Sequence, residues 1–95
     1  PVLDGALDLI ASGIVSSIHA DNQAAVAGLL NASVETLSQP RTQILFDPQT
    51  AGGLLAGVPQ AQAETCRAAL QAEGYAAAIV GQVVDGPVAI TLGPL

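Results

Sequence analysis

The sequence predicts an α+β domain, a mixed β-sheet covered by helices in the order α-α-β-β-α-β-β. Three observations predict it. Apolar residues recur at helical spacing near the start of the chain and again over 60 to 73. From residue 42 the helical period gives way to apolar runs of strand length. A strand, a helix and a following strand over 53 to 84 then suggest a right-handed crossover that lays a helix on the sheet.

The elements follow in order. Leu3, Leu7, Ile10 and Ile14 share one helix face, with Ala6 beside them, while Asp4, Asp8 and Ser12 fall on the other. Gly13 is a helix stop, so the first helix spans 4 to 13. Val15 to Ala20 is a short connection. Asp21 or Asn22 caps a second helix whose apolar face is Ala25, Val26, Leu29 and Leu30. Asn31 to Arg41 is polar, contains Pro40 and reads as loop. Thr42 to Asp47 reads as a strand and Gly53 to Val58 as a second. Pro59 suits the first turn of a helix, where its missing N–H is harmless. The clearest helix is 60 to 73, with Ala63, Cys66, Ala69 and Leu70 in one stripe and Gly74 closing it. Tyr75 to Val84 is a strand interrupted by Gly81. Asp85-Gly86 signals a hairpin turn, and Pro87 to Leu92 is the return strand, with proline at its start or on an edge.

Ninety-five residues make a single domain at most, and 51% of them are hydrophobic. Phe46 and Tyr75 are the only aromatics, so the core is built from Ala, Leu, Val and Ile. The net charge is -6, with no lysine and only Arg41 and Arg67 as cations. That balance argues against nucleic-acid partners and anionic membrane surfaces, which both need a basic footprint. No apolar run approaches the roughly 20 residues that span a bilayer. Cys66 is alone, which leaves no internal disulfide and fits a reducing, cytoplasmic compartment. The chain opens on Pro1 without a basic n-region. A piece of a longer protein is the expectation.

Chemistry concentrates in Asp47-Pro48-Gln49-Thr50-Ala51-Gly52-Gly53, a polar turn between two apolar runs. Asp47 reads either as a carboxylate facing a cleft or as a local acceptor for the next N–H groups. Thr50 to Gly53 reads either as a backbone cradle for an anion or as a turn that lets strands pass closely. No lysine follows the glycines, so the segment is not a Walker loop, and its spacing is not a dinucleotide fingerprint. His19 has no Cys/His cluster around it to make a metal site. Cys66 lies on an apolar stripe and reads as core. Asp4 and Asp8, four residues apart, read as a solvated face. No catalytic residue and no metal site are expected within this chain.

Leu45-Phe46-Asp47-Pro48-Gln49-Thr50-Ala51-Gly52-Gly53-Leu54-Leu55 resembles the later part of the C-terminal domain of selenophosphate synthetase (selenide, water dikinase). That family belongs to the aminoimidazole ribonucleotide synthetase-like superfamily. Val58-Pro59 before an Ala- and Glu-bearing helix, Gly74-Tyr75 before Ile79-Val80-Gly81-Gln82-Val83-Val84-Asp85-Gly86, and Pro1 to Leu7 extend the resemblance. It thins between about residues 15 and 42. Where the family carries Ser in the heptad, this chain has Ala51.

The resemblance implies a partial ferredoxin-like topology and a place in an ATP-dependent enzyme that converts selenide to selenophosphate. It implies that Asp47, Gln49, Thr50, Gly52 and Gly53 form a ligand-binding loop at the active cleft. ATP and Mg²⁺ are implied for the full-length family and neither for this piece alone. The partner the resemblance implies is an N-terminal ATP-binding domain; separately, the unpaired edges of a truncated sheet invite pairing with a second copy. A non-catalytic dimerisation module and a small-molecule regulatory domain of the same fold remain open beside the enzyme reading.

Overall fold

The computed structural model describes residues 1–49 and 52–93. They divide between two units, one comprising Val2–Ala51 and Gly86–Leu95, the other Gly52–Asp85 together with Pro1. The chain is a small α+β structure.

In the first unit, α1 (Ala6–Ala11) follows Gly5 at φ 80°. Its end is set by Gly13 at φ 84°, a left-handed conformation that glycine adopts without a Cβ penalty. The Gly13 N–H donates to Ile10 O at 2.9 Å and the Ile14 N–H to Leu9 O at 3.0 Å. These two bonds satisfy carbonyls that the helix end leaves open. Helix α2 (His19–Val26) starts earlier than the sequence suggests. Neither Asp21 nor Asn22 caps it: Ile18 holds the cap position without a side-chain bond, and Asp21 lies in the first turn. An acid there still complements the helix dipole.

The expected loop from 31 to 41 contains two short helices, α3 (Val34–Ser38) and α4 (Pro40–Gln43). Ser33 caps α3, its Oγ accepting from the Thr36 N–H at 3.1 Å. Gln39 is extended at ψ 137°, the conformation favoured before a proline. Pro40 then begins α4 with its φ already suited to a helix. This proline start corrects the strand expected over Thr42 to Asp47. The backbone runs through α4 into a 3-10 turn at Ile44–Phe46 and becomes extended only at Asp47, with φ -72° and ψ 125°.

Among the described residues of this unit, Phe46, Thr42 and His19 are buried. Helix α1 packs on α4 and on the 3-10 turn, α2 packs on the 3-10 turn, and α3 packs on α4. Strand β1 (Leu30–Asn31) pairs in parallel with β2 (Ile90–Thr91), Leu30 opposite Ile90 and Asn31 opposite Thr91. Its bonds run from the Ile90 N–H to Leu29 O at 2.7 Å and from the Leu92 N–H to Asn31 O at 3.1 Å. The return strand expected over Pro87 to Leu92 therefore contracts to two residues. Leu30, expected on a helix face, lies in β1. Asp85-Gly86 forms a bend, with Gly86 at φ 152°, rather than the turn of a hairpin.

In the second unit, a 3-10 turn (Gln60–Gln62) leads into α5 (Ala63–Ala72). Gly74 at φ 89° closes α5 as Gly13 closes α1: its N–H donates to Gln71 O at 3.0 Å, and the Tyr75 N–H donates to Leu70 O at 3.1 Å. Arg67 pairs with Glu64 at 2.8 Å on the exposed side of the helix. The expected apolar stripe is a correction: Ala63 and Cys66 are half-buried, while Ala69 and Leu70 are exposed.

The strands expected over Gly53 to Val58 and Tyr75 to Val84 are also corrected, since neither segment is regular. An apolar run becomes a strand only when a neighbour completes its hydrogen-bond ladder. Among the described residues the sheet is the two-stranded β1–β2 pair, in place of the mixed four-stranded one. Leu54 and Val83 are exposed.

Candidate functional site

Asp47 terminates the 3-10 turn, and its own N–H donates to Ile44 O at 3.2 Å. Pro48 follows it, which favours the extended backbone seen at Asp47. The side chain is half-buried. Gln49 is exposed and reaches back, its Nε2 donating to Asp47 Oδ2 at 3.4 Å, a long contact. The structure thus brings Asp47 and Gln49 together. Thr50 lies outside the described residues, as does Ala51. Gly52 and Gly53 are exposed and belong to the other unit. At Gly53 an added Cβ meets nothing within 4 Å, and its φ lies outside the left-handed range. Neither strain nor close approach among the described residues calls for glycine there.

Behind Asp47 stands a polar network that the sequence reading missed. His19 and Asn22, three residues apart on α2, share a helix face. Asn22 Nδ2 donates to Phe46 O at 2.9 Å. The His19 ring meets the Phe46 ring edge-on, with centroids 5.8 Å apart and planes at 85°. His19 Nε2 lies 2.8 Å from Gln43 Oε1, and Gln43 Nε2 donates to Leu37 O at 2.5 Å.

This geometry fixes the roles. Leu37 O can only accept, so the nitrogen of the Gln43 amide faces it and the oxygen faces His19. His19 Nε2 therefore carries the hydrogen, and in the neutral ring Nδ1 is left with its lone pair. Nδ1 is buried and has no hydrogen-bond partner among the described residues. Capping preference alone directs attention to Asn22 at a helix start. Nothing in one sequence announces that residues 24 apart will bond.

Among the described residues, no group of three His, Cys, Asp or Glu could hold a metal ion. No described helix is long and apolar enough to cross a membrane. Arg67 is occupied by Glu64 and by Gln71, whose Oε1 it reaches at 3.3 Å.

Comparison with known proteins adds ancestry to this geometry. Residues 9–93 match the family model of the AIR synthase related protein, C-terminal domain. The selenide, water dikinase of Clostridium botulinum (strain Eklund 17B / Type B) is 34% identical over 85 residues, covering 90% of this chain and 24% of that protein. That of Burkholderia orbicola (strain MC0-3) is 32% identical over 88 residues, covering 92% of this chain and 25% of its own length. That of Pelobacter propionicus is 56% identical over 45 residues, 46% of this chain and 13% of its own. The chain thus spans about a quarter of the length of the first two relatives. No solved structure matches it significantly. With residues 9–93 matched, the chain belongs to the AIR synthase related protein C-terminal domain family, where it is similar to selenide, water dikinases.

Proposed function

We propose that this chain is the later part of the C-terminal domain of a selenophosphate synthetase-like protein, one that uses ATP and Mg²⁺ to phosphorylate selenide. The observation that carries the reading is the similarity to selenide, water dikinases over 90% of the chain. In this reading Asp47, Gln49, Thr50, Gly52 and Gly53 line the active cleft, offering backbone N–H groups and a few polar side chains. They do not complete the site. Phosphoryl transfer needs positioned cations, and the chain has two arginines against eight acids. Magnesium and basic side chains are then supplied by an N-terminal ATP-binding domain.

The test has two arms. The full-length protein that carries this chain, given ATP, Mg²⁺ and selenide, is expected to form selenophosphate, seen by phosphorus NMR. No product there refutes the enzyme reading. In calorimetry the 95-residue chain alone is expected to show no ATP binding, and micromolar binding refutes the division of labour.

A second reading, a non-catalytic self-association module, is favoured by the exposed apolar residues Leu54, Leu55, Val83 and Val84. Sedimentation of the chain as a monomer at tens of micromolar refutes it.

A further inference from the structure

The geometry points to His19 and Asn22 as positioning residues for Asp47, a role that rests on the reading of Asp47 as part of a ligand-binding cleft. The peptide unit between Phe46 and Asp47 is held on both sides. Its oxygen accepts from Asn22 Nδ2 at 2.9 Å, and its N–H donates to Ile44 O at 3.2 Å. Pro48 limits the backbone on the far side of Asp47.

The hold is itself braced. The Phe46 ring is 5% exposed and stands edge-on against His19. His19 is fixed by Gln43, and Gln43 is anchored on the last carbonyls of α3 through Leu37 O. A line of contacts thus runs from α3 through α4 and α2 to the peptide that carries Asp47. It leaves the carboxylate little freedom beyond its own side-chain torsions. A carboxylate that must face a ligand gains rate from such prior orientation, because misplacement by about 1 Å can cost a hundredfold. Burial of the Phe46 ring alone would anchor the turn. The Asn22 bond does something burial does not, since it sets the rotation of the peptide plane leading into Asp47.

Asn22→Asp in the full-length protein tests this, because it keeps the shape and replaces the donor with an acceptor. Gly74→Ala is the control: it strains the end of α5 in the other unit and touches none of the contacts that lead to Asp47. With nitrogen-15 aspartate labelling, Asn22→Asp is expected to speed hydrogen exchange at the Asp47 amide about fivefold or more. Gly74→Ala is expected to leave it unchanged.

In steady-state kinetics with ATP and selenide, Asn22→Asp is expected to lower kcat about tenfold, with a smaller change in KM. Gly74→Ala is expected to stay within twofold. Should Asn22→Asp fail to fold, Asn22→Ala removes the donor without adding charge and gives the same readouts. An Asp47 amide that exchanges as in the unsubstituted protein overturns the proposal, as do equal losses of kcat in the two variants. A protein that consumes no ATP with selenide refutes the cleft reading instead, and the amide comparison still decides whether Asn22 orients Asp47.

Discussion

Phe46→Ala removes the side chain on which the first unit is centred. The ring is 5% exposed and is the one buried hydrophobic residue among those described. An aromatic ring buries about 200 Å², worth about 5 kcal/mol at ~25 cal/mol per Å² as an upper bound. Alanine keeps part of that area, and the cavity and the lost edge-on contact with His19 add to the loss. About 4 kcal/mol is the expected sum. A domain of this size has about 5–14 kcal/mol to lose, and one with so few buried residues sits at the low end.

The assay must be residue-specific. There is no tryptophan, and the single tyrosine, Tyr75, belongs to the other unit. Amide exchange serves, read at Asn22, whose N–H donates to Ile18 O, and at Gln43, whose N–H donates to Gln39 O. Both are expected to exchange about a thousandfold faster in the variant, up to the limit set by the unit's own stability. Phe46→Leu retains most of the buried area and should lose only about 1 kcal/mol. Acceleration of less than tenfold in Phe46→Ala refutes the placement of Phe46 at the centre of this unit.

Three further outcomes are expected. Ser33→Ala removes the α3 cap and should destabilise that helix by about 1 kcal/mol, seen as faster exchange of the Leu37 amide, whose N–H donates to Ser33 O. Gly74→Ala forces a Cβ into φ 89° and should destabilise the end of α5 by about 1–2 kcal/mol, with the Tyr75 amide losing protection. Gly53→Ala meets no neighbour within 4 Å and should change stability by less than about 0.5 kcal/mol. In the full-length protein it should nonetheless lower ATP turnover, so a fully active Gly53→Ala protein argues against a cleft role for that glycine.

What the sequence revealed was mostly what is local. Gly13 and Gly74 announce their helix ends because a left-handed residue is needed there, and both lie at positive φ. Helix α5 was legible in its extent and its Gly74 stop, though not in the face it buries, and the heptad's kinship was legible from its residues. The strands were not, because strand formation depends on a neighbour that a single sequence does not name. Thr42 to Asp47, with its apolar run Ile44 to Phe46, suggests a strand, yet Pro40 starts a helical turn that carries through to Phe46. Asn22 looked like a cap and is instead a clamp, and its partner lies 24 residues away. For the candidate site, Asp47 and Gln49 were named from the motif alone, while His19, Asn22 and Gln43 behind them emerged only with the fold.

The buried imidazole has a practical consequence. His19 is the only histidine, so its ring nitrogens give signals that need no assignment. One nitrogen is tied to Gln43 and the other is buried without a partner among the described residues, while the ring edge rests on the residue that precedes Asp47. Histidine-directed acylating reagents should leave it unmodified in the folded chain. Its two nitrogen resonances should report, as a native probe, any ligand that shifts the turn at Ile44–Phe46.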